Sequence, residues 1–344
     1  MLGTKIGFDI GSSTIFALAE GREIAVSEPS VIAYDTFTGK VMAIGQDAAD
    51  MLGRNPDSLT VIQPVRQGAV CDFDAVQQML SFYIQKICGN RIFKPNVMMC
   101  VPAEISEIDR RSLLEIAENA GASRACVVEE PLAAALGAGF SPAEYKGRMV
   151  ADIGGGTTEL AIIAKGGIAV SKSVAVAGES FDDAICRFLR RERDIIIGTV
   201  TAEQVKQKIG AAKFLEAELA IRVTGKDYFT KLPKSTEITS TDIFLCVKEH
   251  LDAIAESIKE MLMDAPPELA ADIYTNGIVL TGGSAMLRGI DEYLSKKTGY
   301  KVVCAENPAY CVINGISILL KDMNLMEENG YVFAAYNEIN DYGE

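Results

Sequence analysis

Two short stretches of the sequence place an aspartate, glycines and hydroxyl residues directly after an apolar, strand-like run. Residues 7–14 read GFDIGSST, and residues 150–158 read VADIGGGTT. Glycine lets the backbone turn tightly and bring its N–H groups close to a ligand, and consecutive N–H groups form an anion-binding concavity. Two such turns facing each other would hold a polyphosphate from both sides, whereas the alternative is two ordinary strand-end turns. The predicted phosphate contacts are Gly11, Ser12, Ser13, Thr14, Gly154, Gly155, Gly156, Thr157 and Thr158.

The aspartates of the two turns, Asp9 and Asp152, predict a divalent cation. Two carboxylates beside a polyphosphate would repel it unless a cation lies between them. Magnesium fits this position because it prefers oxygen ligands and keeps several of its water molecules. We therefore interpret Asp9 and Asp152 as ligands that contact Mg²⁺ through water.

A third glycine turn, LTGGS at residues 280–284, follows another apolar run. The pattern predicts a helix from Ser284, and the positive N-terminus of such a helix favours phosphate. The sequence contains neither a Walker A lysine motif nor a GxGxxG fingerprint. This argues against a P-loop NTPase and a Rossmann dehydrogenase.

An acidic pair, Glu129 and Glu130, stands before Pro131 where a strand is predicted to end and a helix to begin. A carboxylate at this point could orient a water molecule for attack on a terminal phosphate. It could equally be a first-turn acid that the helix dipole favours. The residues alone leave both interpretations open.

The elements that must position these residues alternate between strand-like and helix-like segments, which predicts an α/β fold. The Asp-Ile-Gly motif occurs once in each half, which predicts two related domains with a boundary in the polar segment 141–147. Ser106 with Asp109, Ser180 with Asp183 and Thr201 with Gln204 are predicted helix caps, the last helix running to Leu215. Residues 221–242 are predicted to form a small sheet insert, and residues 326–344 an acidic, frayed tail.

The composition excludes several classes of protein. Lys and Arg total 33 against 47 Asp and Glu, so the net charge is −14, which argues against a general nucleic-acid binder. No apolar run reaches the ~18–20 residues that span a bilayer, and the N-terminus lacks a signal-peptide pattern. The eight cysteines form no CxxC pair and are predicted to be free thiols. A single histidine, His250, excludes zinc sites with several histidines and Ser–His triads.

Together and in this order, the motifs resemble the actin/Hsp70/sugar-kinase superfamily and, more closely, the MreB family of bacterial actins over residues 6–320. The segments that carry the resemblance are 28–31 (EPSV), 101–102 (VP), 110–111 (RR), 129–135 (EEPLAAA), 137–139 (GAG), 152–159 (DIGGGTTE), 166–168 (GGI), 171–173 (SKS), 177–178 (AG), 201–203 (TAE), 206 (K), 209–210 (IG) and 280–283 (LTGG). The resemblance implies a two-lobed actin-like (ribonuclease H-like) ATPase fold with ATP and Mg²⁺ in a central cleft. The implied domains are 1–141 plus 308–344, with an insert at about 32–72, and 142–307, with an insert at about 181–242.

The same resemblance assigns roles to individual residues. Glu130 and Thr157 would position the attacking water. Adenosine contacts would come from Glu203, Lys206, Gly282, Gly283 and Ser284. The family usually has Gly-Thr-Ala-Asn in its first phosphate loop, whereas this chain has GSST at residues 11–14, so Thr14 offers a hydroxyl in place of an amide.

The resemblance also implies a cytoplasmic protein at the inner face of the membrane. In the loop 91–95, Ile92 and Phe93 would insert into lipid, with Arg91, Lys94 and Lys86 facing headgroups. The alternative is an ordinary helix-to-strand connection. The implied function is an ATP-binding filament that organises cell-wall synthesis and cell shape, with slow Mg²⁺-dependent hydrolysis. Its partners would be copies of itself, the membrane and membrane-bound cell-wall elongation proteins, without nucleic acid.

Two other functions belong to the same superfamily. A small-molecule kinase would need a catalytic base and a sugar pocket, and the sequence shows no motif for either. An Hsp70-like ATPase is disfavoured because no β-rich peptide-binding segment follows residue 320.

Overall fold

Two five-stranded mixed sheets organise the chain, and in the computed structural model the described residues are 3–89, 93–328 and 330–335. The elements of the first half are β1 (Lys5–Ile10), β2 (Thr14–Ala19), β3 (Ile24–Pro29), β4 (Ile32–Asp35), β5 (Val41–Ile44), α1 (Gln46–Ala49), β6 (Leu59–Ile62), β7 (Val65–Arg66), β8 (Ala69–Val70), α2 (Phe73–Cys88), β9 (Asn96–Val101), α3 (Glu107–Asn119), β10 (Arg124–Glu129) and α4 (Glu130–Gly137).

The second half begins with another run of strands. Its elements are β11 (Arg148–Ile153), β12 (Thr158–Ala164), β13 (Gly167–Val174), α5 (Gly178–Glu192), β14 (Ile195–Ile196), α6 (Thr199–Ile209), β15 (Ala220–Asp227), β16 (Pro233–Thr239), α7 (Ser240–Asp264), α8 (Pro267–Asn276), β17 (Ile278–Thr281), a 3₁₀ turn (Gly283–Met286), α9 (Ile290–Thr298), β18 (Val302–Cys304), a second 3₁₀ turn (Pro308–Tyr310), α10 (Cys311–Lys321) and α11 (Met323–Glu328).

The two large sheets share one topology. The first has the order β10-β9-β1-β2-β3, and the second has the order β18-β17-β11-β12-β13. In each sheet the first three strands form an antiparallel meander, and two later strands add in parallel beside the first. The repeated Asp-Ile-Gly motif therefore occupies the same place in both sheets, at the turn between the first two strands.

Helices α4 and α10 pack closely against each other in an apolar cluster that takes in residues of both sheets, such as Val128 and Val150. Gly137 of α4 lies against the Cys311 carbonyl, and Gly315 of α10 lies against the Ala133 carbonyl, so a Cβ at either glycine would collide with backbone. This close approach fixes α4, whose first residue is Glu130.

The predicted caps are right in one case of three. Ser106 Oγ accepts a hydrogen bond from the Asp109 N–H at 3.1 Å, as predicted. Helix α5 begins at Gly178 rather than at a Ser180 cap, because the N–H groups of Gly178 and Glu179 donate to the Gly154 and Gly155 carbonyls at 3.2 and 2.7 Å. A distant loop thus supplies the acceptors that a local side chain was expected to supply.

Helix α6 also departs from its prediction. It begins at Thr199, without a side-chain cap from Thr201, and ends at Ile209 rather than Leu215, because Gly210 has an extended backbone. The small sheet insert predicted at residues 221–242 is confirmed by β15 and β16, and β14, which lies outside the predicted range, adds a third strand. The long helix α7 after it begins with a capping box between Thr239 and Asp242.

Two further expectations are corrected. The segment at Ser284 is a single 3₁₀ turn, not a helix, because Leu287 already returns to extended backbone. Within the predicted tail, the described residues 326–328 and 330–335 are packed rather than frayed, since Met326 and Phe333 are buried in the same apolar cluster as α4. Residues 329 and 336–344 of the predicted tail lie outside the described residues.

All eight cysteines lie among the described residues and are thiols rather than disulfides, as predicted. Along the parts of the chain that the structure describes, no helix has the length and apolar character needed to cross a membrane.

Candidate functional site

A cleft of about 650 Å³ opens where the turns of the two large sheets meet. Both sheets and helices α4, α5 and α6 contribute residues to its walls. The residues predicted from sequence that line it are Asp9, Gly11, Ser12, Ser13, Thr14, Glu130, Asp152, Gly154, Gly155, Gly156, Thr157, Glu203, Lys206, Gly282, Gly283 and Ser284. The fold therefore gathers residues that lie almost 280 positions apart in the sequence.

The two glycine turns have matching backbone geometry. The N–H of Gly11 donates to the Thr14 carbonyl at 3.0 Å, and the N–H of Gly154 donates to the Thr157 carbonyl at 2.9 Å. The turns also touch, because a Cβ on Gly155 would stand 3.0 Å from the Ser13 Cβ. Only glycine allows this approach, which leaves backbone N–H groups and the Ser12 and Ser13 hydroxyls around one space.

Thr158 is the one predicted cleft residue that the structure directs elsewhere. Its side chain is fully buried, and its hydroxyl donates to the Val176 carbonyl at 2.7 Å. The reason is the alternation of side chains along β12, which turns Thr158 away from the cleft while Thr157 lines it. The Thr158 hydroxyl is therefore not available as the predicted phosphate donor.

Three carboxyl groups meet at the floor of the cleft. Burial and the neighbouring Asp152 raise the pKa of Asp9 to about 7. Burial, with repulsion from Asp152 and Asp9, raises the pKa of Glu130 well above its usual range. Burial also raises the pKa of Asp152, although hydrogen bonds from Thr281 (2.5 Å) and Glu130 oppose this effect. Burial penalises the charged form of each of the three carboxyl groups, and for Asp9 and Glu130 the neighbouring acids add repulsion.

These carboxyls suit a cation that is bound through water. Asp9 and Asp152 both line the cleft and offer carboxyl oxygens, the ligand type that Mg²⁺ prefers. Within the described ranges, no group of three or more His, Cys, Asp or Glu side chains could hold a metal ion directly.

Sequence reasoning missed a fourth acid, Glu159. Its side chain is fully buried, accepts from the Ser173 hydroxyl at 2.6 Å and the Ala103 N–H at 3.4 Å, and adds to the repulsion on Glu130. The DIGGGTTE motif contains this residue, so a signal for it was present. Its position next to Glu130 depends on a contact between distant strands.

Lys206 lines the cleft together with Glu203, which lies one turn earlier on the same face of α6. The Lys206 ammonium group donates to Asp182 Oδ2 at 2.7 Å and to the Gly178 carbonyl at 2.8 Å. Burial raises the pKa of Asp182 to about 7, while Lys206 acts in the opposite direction. Asp182 was not predicted from the sequence, and it ties α5 to α6 at the cleft wall.

The third glycine turn closes the cleft without a helix. The Ser284 hydroxyl donates to the Gly154 carbonyl at 2.7 Å, and this bond links the 3₁₀ turn to the second glycine turn, residues 154–157. Gly283 has open space where a Cβ would stand, so its backbone is accessible to a ligand.

The hairpin turn at Gln67 and Gly68 is a further contact that the sequence did not predict. The Gly68 N–H donates to Ser12 Oγ at 3.3 Å, and a Cβ on Gly156 would stand 2.7 Å from the Gln67 backbone. Gln67 has a positive φ of 48°, an unusual conformation for a residue other than glycine. The turn at Gln67 and Gly68 therefore touches both glycine turns, at Ser12 and at Gly156.

The predicted membrane loop lies partly outside the described residues, and Ile92 and Arg91 are among those not described. Phe93 is 59% exposed. Lys86, which was expected to face lipid headgroups, is half-exposed and donates to Glu28 Oε1 at 2.6 Å.

The model of the family described as MreB/Mbl protein matches residues 3–328. The chain belongs to the MreB/Mbl family. The cell shape-determining protein Mbl of Bacillus cereus is 37% identical to this family member over 325 residues, which cover 94% of the chain and 98% of Mbl. The cell shape-determining protein MreB of Escherichia coli is 38% identical over 321 residues, or 92% of each chain.

Solved structures confirm the actin-like fold predicted for this MreB/Mbl family member. MreB5 of Spiroplasma citri bound to ADP superposes with a TM-score of 0.91 at 35% identity, over 96% of this chain and 99% of MreB5. MreB5 bound to AMPPNP matches equally well. The MamK double helical filament, at 20% identity and a TM-score of 0.79, shares the fold.

Proposed function

We propose that this MreB/Mbl family member binds ATP in its cleft and polymerises into filaments that organise cell-wall synthesis and cell shape. The observation that carries the proposal is the pair of equivalent glycine turns at residues 11–14 and 154–157, which surround one space. The MreB5 structures similar to this chain are bound to ADP and AMPPNP. In the proposal, the adenosine lies between α6, with Glu203 and Lys206, and the turn at Gly282, Gly283 and Ser284.

Magnesium completes the proposed site. Asp9 and Asp152 would hold the ion through water beside the phosphates. When bound, Mg²⁺ would neutralise phosphate charge and stabilise the charged carboxylates of the two aspartates, whose pKa burial raises. The charge and burial of these carboxyls support this assignment.

Hydrolysis is assigned to Glu130 and Thr157, which both line the cleft. The Glu130 carboxyl and the Thr157 hydroxyl would orient a water molecule for attack on the terminal phosphate. The contact of Glu130 with Asp152 favours this role over that of a simple first-turn acid. The proposed turnover is slow, because ATP hydrolysis serves to change the state of the polymer and not to supply a product.

The filament follows from nucleotide-dependent closure of the cleft between two lobes, proposed as residues 1–141 plus 308–344 and residues 142–307. A closed subunit would contact the next one head to tail, and heterologous contacts of this kind generate open filaments when they do not close into a ring. Hydrolysis would shift the subunit toward the shape that dissociates. The overall charge of −14 supports a polymer that does not bind nucleic acid.

The proposed location is the cytoplasmic face of the inner membrane, where cell-wall elongation proteins would be its partners. The exposed ring of Phe93 supports this location, because an apolar side chain beside Lys94 can insert among headgroups. Ile92 would insert with it.

Electron microscopy and sedimentation with ATP and Mg²⁺, with and without anionic vesicles, test the proposal. We expect pelletable polymer that depends on ATP, and filaments on the vesicle surface. A parallel screen of small alcohols as phosphoryl acceptors provides the opposing outcome. Turnover that requires one such alcohol, without polymer, would show that the protein is a kinase.

A further inference from the structure

The segment 330–335 follows α11 and folds back onto the first sheet. The N–H groups of Gly330 and Tyr331 donate to the Glu327 and Met326 carbonyls at 3.1 and 2.9 Å, which is the pattern of a Schellman turn. Gly330 has a φ of 81°, as that turn requires. The chain is therefore directed toward β10 by a defined turn at the end of a helix.

Backbone pairing and burial then hold the segment in place. Ala334 and Ala125 exchange two N–H···O bonds, at 3.0 and 3.1 Å, at the free edge of β10. Phe333 is 1% exposed and belongs to the apolar cluster that contains Cys126 and Val128. Tyr331 lies between the turn at Gly330 and the buried Phe333, and its side chain reaches Glu129 at the end of β10.

The Tyr331 hydroxyl donates a hydrogen bond to Glu129 Oε2. The other carboxylate oxygen of Glu129 accepts from Arg110 Nη2 at 2.7 Å. Burial and the charge of Glu129 raise the pKa of Tyr331, so the hydroxyl stays protonated as a donor. Glu129 is thus held on one side by α3 and on the other by the C-terminal segment.

Glu129 and Glu130 are neighbours with different surroundings. Glu129 ends β10 and contacts Arg110 and Tyr331, while Glu130 begins α4 and contacts Asp152 in the cleft. Because the two residues share one peptide group, a shift of the Glu129 backbone would also move Glu130. Tyr331 also lies beyond residue 328, where the match to the family ends.

We propose that Tyr331 is a positioning residue, which holds Glu129 and through it places the Glu130 carboxyl for ATP hydrolysis. This inference rests on the proposed function, because it concerns the efficiency of the reaction assigned to Glu130. Through Tyr331, the C-terminal segment 330–335 adjusts the rate of ATP hydrolysis without contacting the nucleotide.

The test compares the full-length variants Tyr331→Phe and Val332→Ser. The first removes one hydroxyl, and the second changes the neighbouring side chain, which is 61% exposed. We expect Tyr331→Phe to lower kcat about tenfold with KM changed less than about twofold. Hydrogen–deuterium exchange of the backbone around residues 124–132 should become faster in the same variant. Val332→Ser should leave kcat, KM and exchange as in the wild type.

The outcomes separate this inference from the proposed function. An unchanged kcat in Tyr331→Phe would overturn the inference, and so would equal losses in both variants, since these indicate a general structural role. If the wild type does not hydrolyse ATP at all, the proposed function fails. In that case the hydrogen–deuterium exchange measurement alone tests whether Tyr331 holds the region around Glu130. Unchanged exchange in Tyr331→Phe would overturn the positioning role of Tyr331.

Discussion

The ammonium group of Lys206 lies 2.7 Å from Asp182 Oδ2, and both side chains are nearly buried beside the cleft. The pair joins α6 to the first turn of α5. The first N–H groups of α5 donate there to carbonyls of the second glycine turn, residues 154–157. A single ion pair thus connects the proposed adenosine side of the cleft with the proposed phosphate side.

Lys206→Met is expected to weaken ATP binding about 10–100-fold and to lower the free energy of unfolding by about 3 kcal/mol, because the buried Asp182 carboxyl loses its partner. Fluorescent-nucleotide titration and thermal melts measure the two effects. Lys208→Met, at an exposed position of the same helix, is the matched control. Adding Asp182→Asn should restore stability but not affinity. Restored affinity would show that Lys206 acts only as a structural tie.

Glu130→Gln is expected to reduce ATP hydrolysis at least about 100-fold while ATP affinity changes less than about threefold, since the amide keeps the shape but cannot accept a proton from water. Phosphate release under single-turnover conditions checks this. Glu115→Gln, on the exposed face of α3, serves as the control. Normal turnover in Glu130→Gln would assign the water-positioning role to another group.

Gly156→Ala is expected to weaken nucleotide binding at least about tenfold, because the new Cβ would stand 2.7 Å from the Gln67 backbone, which cannot yield as a flexible side chain could. The collision should also lower the free energy of unfolding by about 1–3 kcal/mol. Gly167→Ala is the control, since open space surrounds its Cβ position. Equal affinity in both variants would mean that the hairpin turn moves freely away from the phosphate loops.

The raised pKa of Asp9 predicts a specific pH dependence in the nucleotide-free protein. Between the usual value of 3.8 and about 7, the folded state binds more protons than the unfolded state, so this group makes stability fall as pH rises across that range. Asp9→Asn should therefore match the wild type near pH 4 and exceed its free energy of unfolding by about 1–2 kcal/mol near pH 7.5. Denaturant titrations at several pH values measure the difference.

The exposed Asp57→Asn controls for the loss of one negative charge. A stability difference for Asp9→Asn that does not change with pH would refute the assigned pKa. The same variant should bind Mg²⁺–ATP more weakly than the wild type, because one of the two proposed water-mediated ligands is gone.

Phe93→Ser is expected to reduce co-sedimentation with anionic vesicles several-fold, because the ring supplies apolar area for insertion. Phe229→Ser is the control, since Phe229 is 70% exposed in the hairpin between β15 and β16. A similar loss in both variants would indicate nonspecific apolar binding, and unchanged binding of Phe93→Ser would place the anchor elsewhere.

Features that depend on neighbours in sequence were predictable from the sequence. The strands around the Asp-Ile-Gly motifs, the Ser106 cap and the glycine turns follow from local patterns of apolar, hydroxyl and glycine residues. The lining of the cleft by Glu203 and Lys206 agrees with their helical spacing and with the family resemblance.

Features that depend on distant backbone were not predictable. The start of α5 is set by carbonyls of Gly154 and Gly155, which no periodicity within α5 reports. Likewise, the Gln67 turn, the Asp182 partner of Lys206 and the docking of Tyr331 on Glu129 join segments that are far apart in the chain. The types of these residues do not indicate the contacts, which form only because the fold brings the distant segments together.

The pairing of Ala334 with Ala125 also bears on how the protein behaves at high concentration. Strand β10 is the edge of its sheet, and an uncovered edge presents free N–H and C=O groups to any other strand. The C-terminal segment occupies part of that edge within the same molecule. Samples that lose it by proteolysis should therefore aggregate through sheet edges, a form of association unrelated to ordered polymer.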